Sequence, residues 1–260
     1  RLRLGSRVGL GALERAGDNY QRALALDPAY VPAALALAEV ELSLLDSTRL
    51  RRARDAVRRT VGSVSSAPGH LLLAWGRMER AAGSLRVAAT AFERYLATGG
   101  SRALGLLEVA RTRLALGQSV GDAPYYEGAA LDDPEAVPQY RADLEVVAPD
   151  SILREFDTMR GQRRAAFLHR FWTDRDHYEL RPEGERLREH YRRLLFARAH
   201  FPLTISRRFY GPQDAFRSGN AEVDDRGVIY IRQGTPAQRI RPFVFRAMPN
   251  ESWRYERPEG

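Results

Sequence analysis

The chain contains no cysteine, which excludes disulfides and thiolate metal sites and leaves the redox compartment open. It contains no lysine either: all 41 basic residues are arginine. Asparagine occurs three times (Asn19, Asn220, Asn250) and isoleucine five times, while alanine, glycine and arginine abound. The scarce residues have A/T-rich codons, so a GC-rich coding sequence accounts for the arginine bias without a ligand. The net charge of +8 is therefore weak evidence for nucleic acid, which would need further support. No apolar run approaches the ~20 residues that cross a bilayer. Arg1 stands where a native start would have Met, so a leader or anchor upstream is left open. A phosphate-binding Walker loop, a G-x-S-x-G elbow and a dinucleotide fingerprint are all lacking. Gly9-Leu10-Gly11 has no strand before it and no third glycine in place.

What is present is the composition of a soluble globular protein, with 44% hydrophobic and 28% charged residues over 260 positions. That length suits two domains. Charge is distributed unevenly: net +8 over residues 1–120, −7 over 121–150 and +7 over 151–260. Attraction between such blocks reaches only about 8–10 Å at ordinary salt. The expectation is that the acidic segment, through Asp132, Asp133, Glu135, Asp143 and Glu145, docks on arginines of its neighbours.

The first half repeats itself. Tyr20–Pro28 reads YQRALALDP and Tyr126–Pro134 reads YEGAALDDP. Each places an aromatic, an alanine three residues on (Ala23, Ala129) and a proline five beyond that. Leu72, Trp75, Gly76, Gly83, Ala88 and Phe92 give a large, large, small, turn, small, aromatic series. Shifted by 34 residues, Leu106, Val109, Ala110, Gly117, Tyr126 and Ala129 stand in the same register. Tyr95 and Asp122 depart, each at a position where a small residue is usual. This pattern resembles tetratricopeptide repeats, at roughly 31–68, 69–102 and 103–136, preceded by half of another. The stretch 31–68 is about four residues too long, and its second helix, near Arg49–Val61, reads as degenerate.

The resemblance implies antiparallel helix pairs, with Gly76, Ala88, Ala110 and Ala129 at close helix contacts and with Gly83 and Gly117 ending helices at positive φ. It also implies a concave groove lined by first helices, with Leu35, Glu39, Leu73, Arg77, Arg80, Leu107, Arg111 and Leu114 on it. Arginines stacked there suit an acidic peptide, since guanidinium pairs carboxylates bidentately. The competing expectation is that these arginines are salt-bridged to internal Glu or to the acidic segment.

Residues 137–149 read as an acidic closing helix and linker, with Tyr140, Leu144 and Val147 on one face. Pro149-Asp150-Ser151 is expected to cap a following helix, striped by Ile152, Leu153 and Phe156. Further helices are expected around Phe167–Trp172 and Leu187–Leu195, the latter opened by Pro182. Strands are expected only after about residue 220: Val228–Ile231, from β-branched content, Phe243–Phe245 and Ser252–Glu256, with a further strand beyond Gly260. FWTDRD at Phe171–Asp176, EHYRRLLFARAHF at Glu189–Phe201, DDRGVIYIRQGTP at Asp224–Pro236 and ESWRYERPEG at Glu251–Gly260 together resemble the GWxTD domain of bacteria. The eponymous motif is eroded to Ala221-Glu222-Val223-Asp224-Asp225, keeping only its Asp. The resulting fold class is mainly α: a solenoid of tetratricopeptide-type hairpins over 1–136, then an α+β domain over 150–260 with a small antiparallel sheet.

Candidate chemistry is sparse. Asp174, Asp176 and His177, with His169 and His190, lack the H-E-x-x-H spacing of zinc sites; capping and pairing with Arg170, Arg175 and Arg181 is the expected role, and no metal or cofactor is expected. Asp224, Asp225 and Arg226 form the most charged turn of the sheet region, a possible C-terminal-domain site. Arg207-Arg208-Phe209-Tyr210 and Arg232–Arg246 give only a faint basic-aromatic pattern, which argues against nucleic acid. These observations point to a non-enzymatic scaffold whose repeat groove binds a protein or peptide partner, with no catalytic residue assigned. The family resemblance implies a bacterial envelope or regulatory setting. The alternative is an enzyme or ligand sensor with its site at the junction of the two domains; a cleft there holding two or more acids and a His would favour it.

Overall fold

The computed structural model describes residues 7–44, 46–203, 220, 222–241 and 251–256. Among these the chain is mainly α, with twelve α-helices and one two-stranded antiparallel sheet. The first seven helices are α1 (Arg7–Leu26), α2 (Val31–Leu44), α3 (Ser47–Ser63), α4 (Gly69–Ala81), α5 (Leu85–Ala97), α6 (Arg102–Ala115) and α7 (Asp122–Ala129). Each packs on the next in sequence, and α2 also packs on α4. No strand occurs among the described residues of this half.

The two best-matched repeats end their first helices identically. After α4, Gly83 takes φ +83° while Ser84 N donates to Glu79 O at 2.8 Å. After α6, Gly117 takes φ +76° while Gln118 N donates to Arg113 O at 3.0 Å. This is the left-handed stop that spares a carbonyl and needs glycine. Between α4 and α5 the small residue is required sterically: a Cβ on Gly76 would lie 2.5 Å from the Phe92 ring. Ala88, Ala110 and Ala129 are fully buried. Tyr95, large at a small position, is buried with its ring against Gly100.

The stretch expected to be degenerate is a regular helix. Asp46 caps α3 by accepting from Thr48 N and Arg49 N, each at 2.8 Å. Leu50, Ala53, Val57, Thr60 and Val61 supply its buried face. At 17 residues against 13 for α5, α3 absorbs the excess spacing as one extra turn.

The remaining helices are α8 (Ala136–Glu145), α9 (Asp150–Thr158), α10 (Gly161–Tyr178), α11 (Glu185–His200) and α12 (Asp225–Gln233), followed by β1 (Gln238–Ile240) and β2 (Ser252–Arg254). α9 starts where expected, but Pro149 is its N-cap residue and no side chain caps it. Pro182 does not open α11: Gly184, at φ +76°, is the N-cap residue. β1 pairs antiparallel with β2, Arg239 opposite Trp253. In β2, Trp253 is part-buried between exposed Ser252 and Arg254, as its alternation implies. The expected strand Phe243–Phe245 and the Arg207–Tyr210 stretch lie outside the described residues.

Val228–Ile231 is helix, contrary to its β-branched composition. Asp224 Oδ1 accepts from Gly227 N at 3.0 Å, a helix cap, and Asp225 places negative charge in the first turn. Val228 and Ile231 are both fully buried, three residues apart on one helical face; in a strand they would point to opposite sides. Gly234, at φ +83°, ends the helix. Capping and burial override propensity here.

One hydrophobic cluster runs from Leu24 to Tyr95. A second joins Leu104, Leu107, Ala110 and Leu114 of α6 to Tyr125, Tyr140, Trp172, Tyr191, Leu194 and Ile231. The core therefore crosses residue 136, where a boundary was expected: the last repeat and the C-terminal helices share it. Leu180, at the end of α10, is the one non-glycine residue described at positive φ (54°), and it is 94% exposed. Its side chain buries almost nothing that would offset the strain. Leu180→Gly is expected to stabilise the protein by about 0.5–1 kcal/mol, read as a raised denaturation midpoint; an unchanged or lowered midpoint would contradict this.

Candidate functional site

The arginines assigned to the groove converge, but on carboxylates of the chain itself. Arg77 Nε lies 2.7 Å from Glu108 Oε1 and Arg80 Nη1 2.5 Å from Glu108 Oε2. Arg111 lies 3.6 Å from Glu108 and 2.7 Å from Asp143. Arg198 of α11 reaches Asp143 at 3.0 Å and Glu222 at 2.6 Å, and Tyr191 Oη donates to Asp143 at 3.0 Å. Glu108 is fully buried, and its carboxyl is held well below its ordinary range: burial pushes it up, but Arg80, Arg77 and Arg111 outweigh that. Asp143 is likewise lowered, Arg111 and Arg198 overcoming its burial.

This corrects the expected groove at its C-terminal end. Leu107 and Leu114 are 0% exposed and Arg111 4%, so no ligand can line up on them. α11 packs on α6 there. Toward the N-terminus, Glu39 is exposed and Leu35, Leu73, Arg77 and Arg80 are part-exposed. The competing expectation is the one observed: Arg77 and Arg80 of α4 pair with Glu108 of α6, and Arg111 of α6 pairs with Asp143 of α8, which Arg198 of α11 also reaches.

The acidic segment docks in part. Asp132 pairs with buried Arg164 at 2.7 Å, Asp143 as above, and Asp122 with Arg188 at 3.2 Å. Asp133 instead accepts from Ser101 at 2.7 Å. Glu135 is exposed. Arg164 also donates to Ala129 O and Leu131 O, satisfying carbonyls at the end of α7 and tying α10 to it.

The C-terminal candidates are structural in their contacts. Asp224 caps α12 and pairs with Arg226 at 2.6 Å. They open a helix rather than a hairpin turn. Asp174 and His177 are exposed, whereas Asp176 is fully buried. Asp176 accepts from Gly184 N and Arg186 N, each at 2.7 Å, so it caps α11 across the intervening loop and makes no pair with Arg170, Arg175 or Arg181. Those pair or stack elsewhere: Arg170 with Glu155, Arg181 with Glu179 and Glu189, and Arg175 over the Phe171 ring at 3.5 Å.

At the junction lies a half-open cleft of about 360 Å³, lined by Asp122 and Tyr126 of α7, His169, Trp172, Thr173 and Asp176 of α10, and Glu183 and Gly184. His169 Nε2 is 3.4 Å from Glu183, and its ring is 5.0 Å from that of Tyr126. Burial raises the Asp122 carboxyl; Arg188 draws it down, and Asp176 and Glu183 push it up again. Comparison with protein-family profiles, with curated proteins and with solved structures gives no match for this chain.

Sequence reasoning singled out Asp122, Tyr126, His169, Trp172 and Asp176, each for another reason. It missed that Asp122, the intruder at a small-residue position, and Tyr126 share a helical face toward α10. The anomaly at Asp122 was the available signal. Glu183 and Glu108 carried none: a single Glu among arginines, in a turn or in a helix, looks like any surface ion pair. Among the described residues, no group of three or more His, Asp or Glu is placed to hold a metal ion, and no helix is long and apolar enough to cross a membrane.

Proposed function

We propose that the chain is a non-enzymatic interaction module: a tetratricopeptide-type array joined to a GWxTD-like unit, serving a bacterial envelope or regulatory system by holding a protein or peptide partner. The observation that carries this reading is the unequal use of one face. At the third repeat α11 covers α6, whereas on α2 and α4 Glu39 stays exposed and Leu35, Leu73 and Arg77 part-exposed. A partner segment lying along α2 and α4 would extend the layer that α11 begins. The partner's acidity is no part of the proposal, because Arg77 and Arg80 already face Glu108.

The test is a photoreactive residue at Glu39, with a control at Thr90, exposed on α5, in cells of the native organism. A discrete adduct from Glu39, absent from Thr90 and lost on Leu35→Glu or Leu73→Glu, is the expected result. Equal labelling from both positions would remove the reading. The second reading, an enzyme or ligand sensor at the junction, is favoured by one observation: the cleft there contains Asp122, Asp176, Glu183 and His169. Asp176 is committed to backbone amides, which leaves Asp122 and Glu183 as the carboxylates able to act.

A further inference from the structure

The junction cleft contains a carboxylate whose hydrogen bonding is incomplete. Asp122 Oδ2 accepts from Arg188 Nη1 at 3.2 Å, whereas Asp122 Oδ1 is buried and has no hydrogen-bond partner. A buried acceptor without a donor is costly and calls for explanation. Around it stand ring surfaces, Tyr126 and His169 at 5.0 Å from each other, with Trp172 also on the wall. Two further acids, Asp176 and Glu183, line the same space. Negative charge beside aromatic faces is the environment an organic cation seeks. A metal ion fits less well. Asp176 already accepts two backbone amides, and among the described residues no three-ligand group is formed.

We propose that this cleft binds an organic cation, a guanidinium or ammonium group, anchored by Asp122 and walled by Tyr126 and His169. The chain itself supplies the geometric precedent: Arg188 docks its guanidinium on Asp122 Oδ2 at 3.2 Å, and an incoming guanidinium or ammonium group would compete with it for that part-exposed carboxylate. The inference rests on the ligand-site reading of the junction, names its ligand class, and is independent of partner recruitment by α2 and α4.

The experiment titrates the full chain with ethylguanidinium and with a capped Gly-Arg-Gly tripeptide, following the His169 ring resonances by NMR. Capped Gly-Gln-Gly and Gly-Glu-Gly serve as neutral and anionic comparators. Both guanidinium compounds should saturate and shift His169 alike. Asp122→Asn should weaken binding about tenfold, and Arg188→Gln should tighten it by removing the competitor, a gain that a purely structural role for Asp122 would not give. Because Asp122 also sits in the first turn of α7, Glu183→Gln at an exposed position is a second variant, expected to weaken binding without disturbing the fold. Preference for the tripeptide assigns the cation to a partner's arginine; equal affinity assigns it to a free small molecule. Equal binding of the neutral or anionic peptide overturns the cation proposal while leaving a ligand site at the junction. No saturable binding of any compound overturns both, and an Arg188→Gln variant that binds no tighter removes Asp122 as the anchor.

Discussion

Glu108→Gln is expected to destabilise the protein by about 3–5 kcal/mol, the cost of removing one member of a buried ion pair and leaving its partners uncompensated. Four guanidinium groups, Arg77, Arg80, Arg111 and Arg198, face three carboxylates, Glu108, Asp143 and Glu222. Glu108 touches three of the four. Glutamine keeps the shape but withdraws the charge and turns an amide donor toward arginines that cannot accept. Arg80 has little recourse to water, its side chain being 10% exposed and Arg111's 5%. Arg77, at 34%, can turn outward, so Arg77→Ala should cost much less than Arg111→Ala. Urea denaturation of the three variants checks the order. A loss below ~1 kcal/mol for Glu108→Gln would mean that the network is solvated in solution. With the network buried, Arg111→Ala melts early, the outcome expected of an arginine that serves the fold rather than a ligand.

The helices of the first half were legible because their determinants are local. Gly83 and Gly117 stop helices in successive hairpins 34 residues apart, and Gly76 faces Phe92 within one of them. The same locality misled at Val228–Ile231, where β-branched residues outweighed the cap that Asp224 provides from three residues before Gly227. The fate of the groove was not legible at all. Nothing in the spacing of Leu107, Arg111 and Leu114 tells that a helix some eighty residues later will lie on them. That depends on pairings such as Arg198 with Asp143, separated by fifty-five positions. Long-range electrostatic pairing leaves no period in the sequence, so the cleft and the buried network both had to be read from the fold.

The second large effect concerns acid. His190 is fully buried, its ring 4.9 Å from Trp172 and 5.1 Å from Tyr191, and neither ring nitrogen has a hydrogen-bond partner. Burial pushes its pKa down to about 3; Asp143 pulls up, but Arg186, Arg198 and Arg193 add to the depression. In the unfolded chain the imidazole protonates near 6.5. The folded state therefore excludes a proton that the unfolded state takes up. The resulting stability is complete above pH 6.5 and is lost as pH falls from 6.5 toward 3, at about 1.4 kcal/mol per unit. Glu108 and Asp143 also lose their contribution on acidification, but only below the ordinary carboxylate range, because both are lowered in the fold. Glu108 and Asp143 therefore do not produce the change between pH 6.5 and 5, the interval in which the His190 loss falls. His190→Phe keeps a ring between Trp172 and Tyr191 and removes both the orphaned nitrogens and the proton. At pH 7.5 it is expected to stabilise by about 1 kcal/mol, and at pH 5 by about 2 kcal/mol more. Urea midpoints at pH 7.5, 6.5 and 5 measure the divergence. Should the two proteins lose stability in parallel across that interval, His190 is hydrated or already bonded in solution, and the acid response belongs to other groups.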